Sequence, residues 1–315
     1  MRALVTGGNG FVGKHLGEAL RARGYTVICA GRSADGSDVD FPLDLLDFDN
    51  VRGVVEAARA DVVLHLAAQA FVPAATRDPL ETYQTNILGT ARLYEALRQS
   101  GQKPRLLFVS SAEVYGAREP SAYPLRESAA VRPMTPYAAS KAAGEAIALA
   151  SERTYAIPSI VARAFNHIGP GQDERYAIPS FALQLAAIAA GAPAVLRVGN
   201  LQAERDFLDV RDVVQAYIDL IERAQAGETY NVCSGRAVSL QEMLRRLIAI
   251  AHVAVEVRDD PERLRPSDTP LSYGDATKLQ SATGWKPMRT LDESLRDVYA
   301  DARERLLAGV QAPAS

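Results

Sequence analysis

The sequence predicts an α/β protein, a doubly wound parallel sheet with a smaller, interleaved C-terminal domain. Short apolar runs alternate with longer amphipathic stretches through the first half of the chain. The first run passes directly into a glycine-rich turn that opens a helical stretch. The alternation breaks after Phe165 and resumes near residue 208. Strands separated by helix-length segments run parallel, because the chain must recross the sheet before each new strand, and helices then cover both faces.

Strands are expected at Ala3–Thr6, Thr26–Ala30, Val62–Leu66, Arg105–Ser110, Ser159–Ala162 and Thr229–Val232, each a short apolar run. Helices are expected at Val12–Arg23, Leu80–Gln99, Tyr137–Arg153 and Asp209–Ile221. Asn166–Gln172 reads as a loop because it holds Gly169, Pro170 and Gly171. Tyr176–Leu196 carries no charge, but Pro179, Gln184, Gly191 and Pro193 break it, so it reads as a short buried helix with loop ends rather than a membrane span. Asp259–Pro270, rich in Pro, Arg and Asp, reads as a functional loop. The large domain is expected to take residues 1–165 and 208–236, and the smaller one 166–207 and 237–315.

The bulk composition narrows the function classes. The chain has 315 residues, 48% hydrophobic and 23% charged, with a net charge of −3. That is a globular composition with no excess of positive charge, so neither a nucleic-acid nor a membrane partner is expected. The two cysteines, Cys29 and Cys233, lie in apolar runs and form no C-x-x-C. They read as buried thiols and point to the cytoplasm. Met1 leads straight into the first strand, leaving no room for a signal peptide.

Gly7-Gly8-Asn9-Gly10-Phe11-Val12-Gly13 follows the first strand and satisfies G-x-G-x-x-G from Gly8. Glycines there permit a tight turn, let the backbone approach a pyrophosphate and let the helix pack on the strand. The helix N-terminus offers free N–H groups to phosphate. This is a Rossmann-type dinucleotide site, and Gly7, Gly10, Phe11, Val12 and Gly13 are its expected contacts. An NAD site wants a carboxylate about twenty residues on, for the ribose 2′-OH. Here the second strand ends in Arg32-Ser33. A guanidinium and a hydroxyl suit a 2′-phosphate. NADP(H) is therefore expected in preference to NAD(H), which stays compatible. Arg32 could alternatively be a solvated residue stacked on adenine.

Tyr137 and Lys141, in Pro136-Tyr137-Ala138-Ala139-Ser140-Lys141, stand four residues apart, one turn along a helix face. A free phenol has a pKa of about 10. A neighbouring ammonium favours the phenolate, so the pair reads as a tuned general acid/base. No two of the four histidines have metal-ligand spacing, so no metal is expected. His15, His65 and His252 read as structural, and His167 as a residue lining a pocket.

Further motifs stand beside these. They are Val109-Ser110-Ser111-Ala112-Glu113-Val114-Tyr115-Gly116, Asp44-Leu45, Leu66-Ala67-Ala68, and Asn86 in Tyr83-Gln84-Thr85-Asn86. With them the chain resembles the extended short-chain dehydrogenase/reductase family over nearly its whole length. Within that family it is similar to the GDP-6-deoxy-D-mannose reductases, through Arg163–Gln172, Val198–Leu201 with Arg205-Asp206-Phe207, and Asp260–Asp268. The resemblance implies that Ser111, Tyr137 and Lys141 are catalytic and that Lys141 also holds the nicotinamide ribose. It implies that Asp44 and Leu45 contact adenine, that Leu66, Ala67 and Ala68 back the cofactor, and that Asn86 supports the site.

For the substrate, the resemblance implies a GDP-sugar reduced at C4, with Arg205 and Arg265 on its diphosphate. Arg263, Arg197 and Asn166 are further candidates. Arg205-Asp206 could alternatively be a local ion pair. Glu113 either hydrogen-bonds a sugar hydroxyl or is satisfied by backbone N–H groups. Ala112 stands where dehydratase relatives carry an acid, which weakens a 4,6-dehydratase reading. A 4-epimerase, a reductase of a dTDP-linked 4-keto sugar and a non-catalytic cofactor sensor remain as alternatives. The resemblance further implies a homodimer through a four-helix bundle of Leu80–Gln99 and Tyr137–Arg153.

Overall fold

The first strand, β1 (Arg2–Thr6), sends Ala3 and Val5 to one face of a sheet and Leu4 to the other. That alternation assembles two cores from one set of strands. The computed structural model describes residues 1–32, 39–263 and 269–311. The remaining strands of the main sheet are β2 (Thr26–Gly31), β3 (Phe41–Pro42), β4 (Val62–His65), β5 (Arg105–Ser111), β6 (Ser159–Ala164) and, after three strands outside it, β10 (Thr229–Val232). Its order is β10-β6-β5-β4-β1-β2-β3, and every pairing is parallel.

The helices between the strands are α1 (Phe11–Ala22), α2 (Phe48–Ala58), α3 (Val72–Arg77), α4 (Pro79–Tyr83), α5 (Gly89–Ser100), α6 (Pro136–Tyr155), α7 (Ala177–Ala189) and α8 (Val210–Arg223). Leu16 and Leu20 of α1 pack with Val213 and Tyr217 of α8 on Val5, Leu64, Leu107 and Ile160. On the other face, Val51 and Val55 of α2, Leu93 and Leu97 of α5, and Ala148 of α6 pack on Leu4, Val63, Leu106 and Phe108. The strand order reverses between β1 and β4, so the crevice beyond their C-terminal ends is the topological switch point, where open α/β sheets bind ligands.

The smaller region uses β7 (Asn166–Ile168), β8 (Val195–Val198), β9 (Glu204–Asp209), β11 (Ala237–Ser239), β12 (Glu256–Asp259) and β13 (Leu271–Ser272). β9 pairs with β7, β11 and β13, while β12 pairs with β8. α7, α9 (Leu240–Ala251) and α11 (Leu291–Gln311) enclose its core of Ile168, Phe181, Leu185, Leu196, Met243, Leu247 and Val298. Among the described residues no helix is long and apolar enough to cross a membrane.

Several expectations are corrected. Asn166–Ile168, expected as loop, is a strand, because β9 supplies a partner some forty residues later. Leu80–Gln99 is one unbroken helical run, as expected, but with a π turn at Gln84–Leu88 that joins α4 to α5. Residues 237–315 do not all join the smaller core. Ala276, Leu279 of α10 (Thr277–Thr283) and Trp285 pack in the large core with α8, and the Trp285 indole donates to the Asp212 carbonyl at 3.0 Å.

Candidate active site

The glycine turn closes on itself and on the next two strand ends. The N–H groups of Gly7 and Gly8 both donate to the Ala30 carbonyl, at 2.7 and 3.2 Å, and Gly10 N–H donates to Gly7 O at 3.0 Å. Gly7 has φ +74°, and a Cβ on it would lie 2.9 Å from Ala67 N. A Cβ on Gly13 would lie 2.2 Å from Gly7 O. The turn is therefore a cradle that side chains would fill, at the start of a helix whose cap, Gly10, makes no side-chain bond and whose first turn holds no acid. This fits a bound pyrophosphate. Phe11 is clasped from the other side: His167 stacks on it at 6.0 Å and His15 meets it edge-on at 5.6 Å. Burial lowers the His167 pKa, and its Nδ1–H donates to Phe165 O at 3.0 Å.

At the end of β2 the Arg32 side chain is exposed, and its carbonyl accepts from Asn9 Nδ2 at 2.8 Å. Ser33 lies outside the described residues. Asp44 is exposed and accepts from Leu46 N–H at 2.9 Å, with Leu45 buried beside it. Leu66, Ala67 and Ala68 follow β4, half-buried.

A buried chain of hydrogen bonds runs from this strand end to α6. Ala67 N–H donates to Thr6 Oγ1 at 3.3 Å, and Thr6 Oγ1 lies 2.7 Å from His65 Nδ1. His65 Nε2 lies 3.1 Å from Thr90 Oγ1, which donates to Asn86 O at 2.7 Å. Burial, helped by Lys141, holds the His65 pKa down to about 3. The ring is thus neutral, and because the Thr90 proton is engaged, Nε2 carries the ring hydrogen. Asn86, in the π turn, accepts from Gln69 N–H at 2.7 Å and donates to Gln69 O and Ser140 Oγ, both at 2.9 Å. Ser140 donates to Tyr137 O at 2.7 Å. Asn86 thereby ties the loop after β4 to the first turn of α6. The π turn that aims it has no signature in a helical periodicity pattern.

α6 starts cleanly: Thr135 caps Ala138 N–H at 3.1 Å, and Pro136 takes the first position, where its missing N–H costs nothing. Tyr137 is therefore in the first turn, facing the end of β5. Ser111 hydrogen-bonds its phenol, while the Ser111 oxygen also accepts from Glu113 N–H at 3.2 Å. The phenol pKa is raised above its ordinary value, by burial first and then by Tyr176 and Glu113, with Ser111 opposing. This corrects the expected lowering by Lys141. The Lys141 ammonium is engaged elsewhere: Nζ donates to Val109 O at 2.8 Å, and the Phe108 ring centroid lies 5.3 Å away. Burial lowers the Lys141 pKa to about 8, with Glu145 opposing. A raised phenol pKa keeps the proton in place, the form a donor needs.

Across the cleft, Tyr176 caps α7 and meets Phe71 edge-on at 5.8 Å, and the Arg175 guanidinium stands 4.7 Å over the Phe71 ring. Sequence reasoning missed this bridge; its two sides are about a hundred residues apart and carry no shared local signal.

The expected phosphate contacts spread over the smaller region. Asn166 is exposed on β7. Arg205, on β9, donates from Nη1 to Glu204 O at 2.9 Å and acts on the Tyr123 phenol. It forms no pair with Asp206, because successive strand residues face opposite ways. Asp206 is fully buried and accepts from Ser234 N–H, Ser234 Oγ and Gly235 N–H at 2.7, 2.6 and 2.9 Å. The Arg263 side chain and the backbone of Arg197 both meet α7. The Arg197 N–H donates to Gln184 Oε1 at 2.9 Å, and Arg263 Nη1 donates to Ser180 Oγ at 2.9 Å. Arg265 lies outside the described residues. The structure thus brings Ser111, Glu113 and Tyr137 together with Tyr176, and leaves Arg197 and Arg263 on a different element from Arg205.

Proteins similar to this chain include a nucleotide-sugar reductase, epimerases and dehydratases. The family model described as GDP-mannose 4,6 dehydratase matches residues 4–298. The GDP-6-deoxy-D-mannose reductase of Pseudomonas aeruginosa is 40% identical over 306 residues, 97% of this chain and 98% of its own. The structure of RMD from Pseudomonas aeruginosa complexed with NADPH superposes with a TM-score of 0.89 at 39% identity, covering 97% of this chain and all of that one. The Thermus thermophilus UDP-glucose 4-epimerase complex with NAD gives 0.86 at 32% identity, covering 96% and 99%.

Proposed function

This chain belongs to the GDP-mannose 4,6-dehydratase family, and from that premise we propose that it reduces the 4-keto group of GDP-4-keto-6-deoxy-D-mannose, giving GDP-D-rhamnose, with NADPH as reductant. The observation that carries the reading is the Tyr137 phenol in the first turn of α6, hydrogen-bonded to Ser111 at the end of β5. NADPH, when bound in this turn, would supply the hydride for the new C4–H bond. Ser111 holds the ketone oxygen, and Tyr137 gives that oxygen its proton as charge develops on it. In this reading Gly7, Gly10 and Gly13 shape the turn for the pyrophosphate, and Lys141 holds the nicotinamide ribose. Ala112, buried at the head of its turn, offers no acid to protonate a leaving hydroxyl, which weakens a dehydratase reading.

The similarity to a 4-epimerase favours one second reading, in which the hydride returns to the product. The test is stoichiometry. A reductase oxidises one NADPH per sugar, whereas an epimerase or dehydratase shows no net oxidation, and the latter result would overturn the proposal.

NADP(H) preference rests on Arg32, exposed at the end of β2. Arg32→Ala is expected to lower kcat/KM with NADPH about tenfold and leave NADH little changed, since a charge-assisted phosphate contact contributes about 1.5–3 kcal/mol. An unmoved NADPH/NADH ratio in steady-state kinetics removes Arg32 from this role.

The protein is further proposed to be a cytoplasmic homodimer paired through the helices of 80–99 and 137–153. Leu80 is 70% and Leu88 49% exposed on that side, as an apolar contact would leave them in one subunit alone. Leu80→Glu with Leu88→Glu is expected to give monomers in sedimentation velocity; a monomeric parent protein contradicts the assignment.

A further inference from the structure

Tyr137, Lys141 and Glu145 occupy positions i, i+4 and i+8 of α6, one stripe of the helix running from the crevice into the protein. Glu145 is 5% exposed and Lys141 equally so. Both Glu145 oxygens are engaged. Oε1 accepts from Ser110 Oγ at 2.5 Å and Arg163 Nε at 2.9 Å, and Oε2 accepts from Arg163 Nη2 at 2.7 Å. Arg163 rises from β6, with its guanidinium 4.8 Å over the Tyr115 ring and Nη1 donating to Glu127 O at 3.3 Å. A forked pair with a third donor is a rigid arrangement, and nothing in the proposed chemistry uses it.

We propose that Glu145 is a positioning residue for the Tyr137–Lys141 pair: locked by Arg163 and Ser110, its carboxylate is the counter-charge that keeps the Lys141 ammonium protonated inside the protein. A buried ammonium without an opposite charge loses its proton. The other groups that face Lys141 do not supply that charge. β5 presents the Val109 carbonyl and the Phe108 ring. β4 presents His65, which is neutral, and α5 its partner Thr90. Arg163 on β6 is a cation paired with Glu145, and Glu113 acts on Tyr137. Glu145 is the carboxylate that raises the Lys141 pKa against burial, leaving it at about 8.

The lysine titration is a property of the protein alone; only its effect on rate rests on the reductase reading. The chain has five lysines, so a ¹³Cε-lysine spectrum of the full-length protein is simple, and Lys141→Arg identifies the Lys141 signal. Lys141 is expected to titrate near pH 8. In Glu145→Gln the midpoint falls by about one pH unit or more, and the alkaline limb of kcat/KM falls with it. Should that variant fail to fold for want of a partner for Arg163, Glu145→Gln with Arg163→Met replaces the whole pair by neutral groups, a change buried pairs tolerate. It too is expected to lower the midpoint. An unmoved or raised midpoint in a folded variant overturns the proposal and leaves Glu145 a purely structural residue. A lowered midpoint with an unmoved rate limb supports the counter-charge and overturns the catalytic reading of Lys141.

Discussion

Tyr137→Phe is expected to lower kcat by about 10²–10⁴, the usual effect of removing a general acid, with NADPH affinity little changed. The substitution keeps the ring and its packing and deletes only the hydroxyl that Ser111 bonds. On the proposed mechanism, what is lost is the proton destined for the ketone oxygen. Burial and the nearby Tyr176 and Glu113 keep that proton on the phenol, so at neutral pH essentially every enzyme molecule carries it. Single-turnover kinetics with saturating NADPH isolate the step from product release. A variant with near-parental single-turnover rate and tight NADPH binding would remove Tyr137 from the mechanism, and a mainly raised KM would make it a binding group.

Gly13→Ala is expected to weaken NADPH binding by about tenfold or more and to lower Tm by several degrees. The added methyl meets backbone, not a flexible side chain: Gly7 O at 2.2 Å and Gly8 Cα at 2.7 Å. Neither can move without opening the turn, because Gly7 and Gly8 are bonded to Ala30 O. Overpacking of this kind costs about 1–3 kcal/mol, and a shift of 1.4 kcal/mol in the cradle alone is about tenfold in affinity. Fluorescence titration with NADPH and a thermal melt measure the two effects. Parental affinity would show that the turn is not the pyrophosphate site.

The placing of these two residues is legible in the sequence, for physical reasons. The glycine turn carries its meaning in local geometry, and Tyr137–Lys141 in helical spacing. The six long strands of the main sheet were legible as well, because residues buried on both faces read as unbroken apolar runs. β3, with two residues, is too short to show a pattern. α2 did leave a signal that was missed: Asp47 caps it, and Val51, Val54, Val55 and Ala58 form its buried stripe. The strands around β9 draw their pairing from distant segments, so composition read β7 as loop.

The largest departure is electrostatic. Spacing places an ammonium one turn from the phenol, yet burial decides both pKa values, and burial is a property of the assembled crevice. The same holds for Asp206. Its sequence position suggested a partner for Arg205, whereas strand geometry turns it inward to join the loop after β10.

Transfer of a label tests the central claim most directly. The full-length protein is incubated with GDP-4-keto-6-deoxy-D-mannose and NADPH carrying deuterium at both positions of the reactive nicotinamide carbon, and the product is read by NMR. The account predicts a GDP-D-rhamnose bearing deuterium at C4, formed in proportion to the NADPH oxidised. A product with hydrogen at C4, or sugar turnover without oxidation of the cofactor, would contradict it.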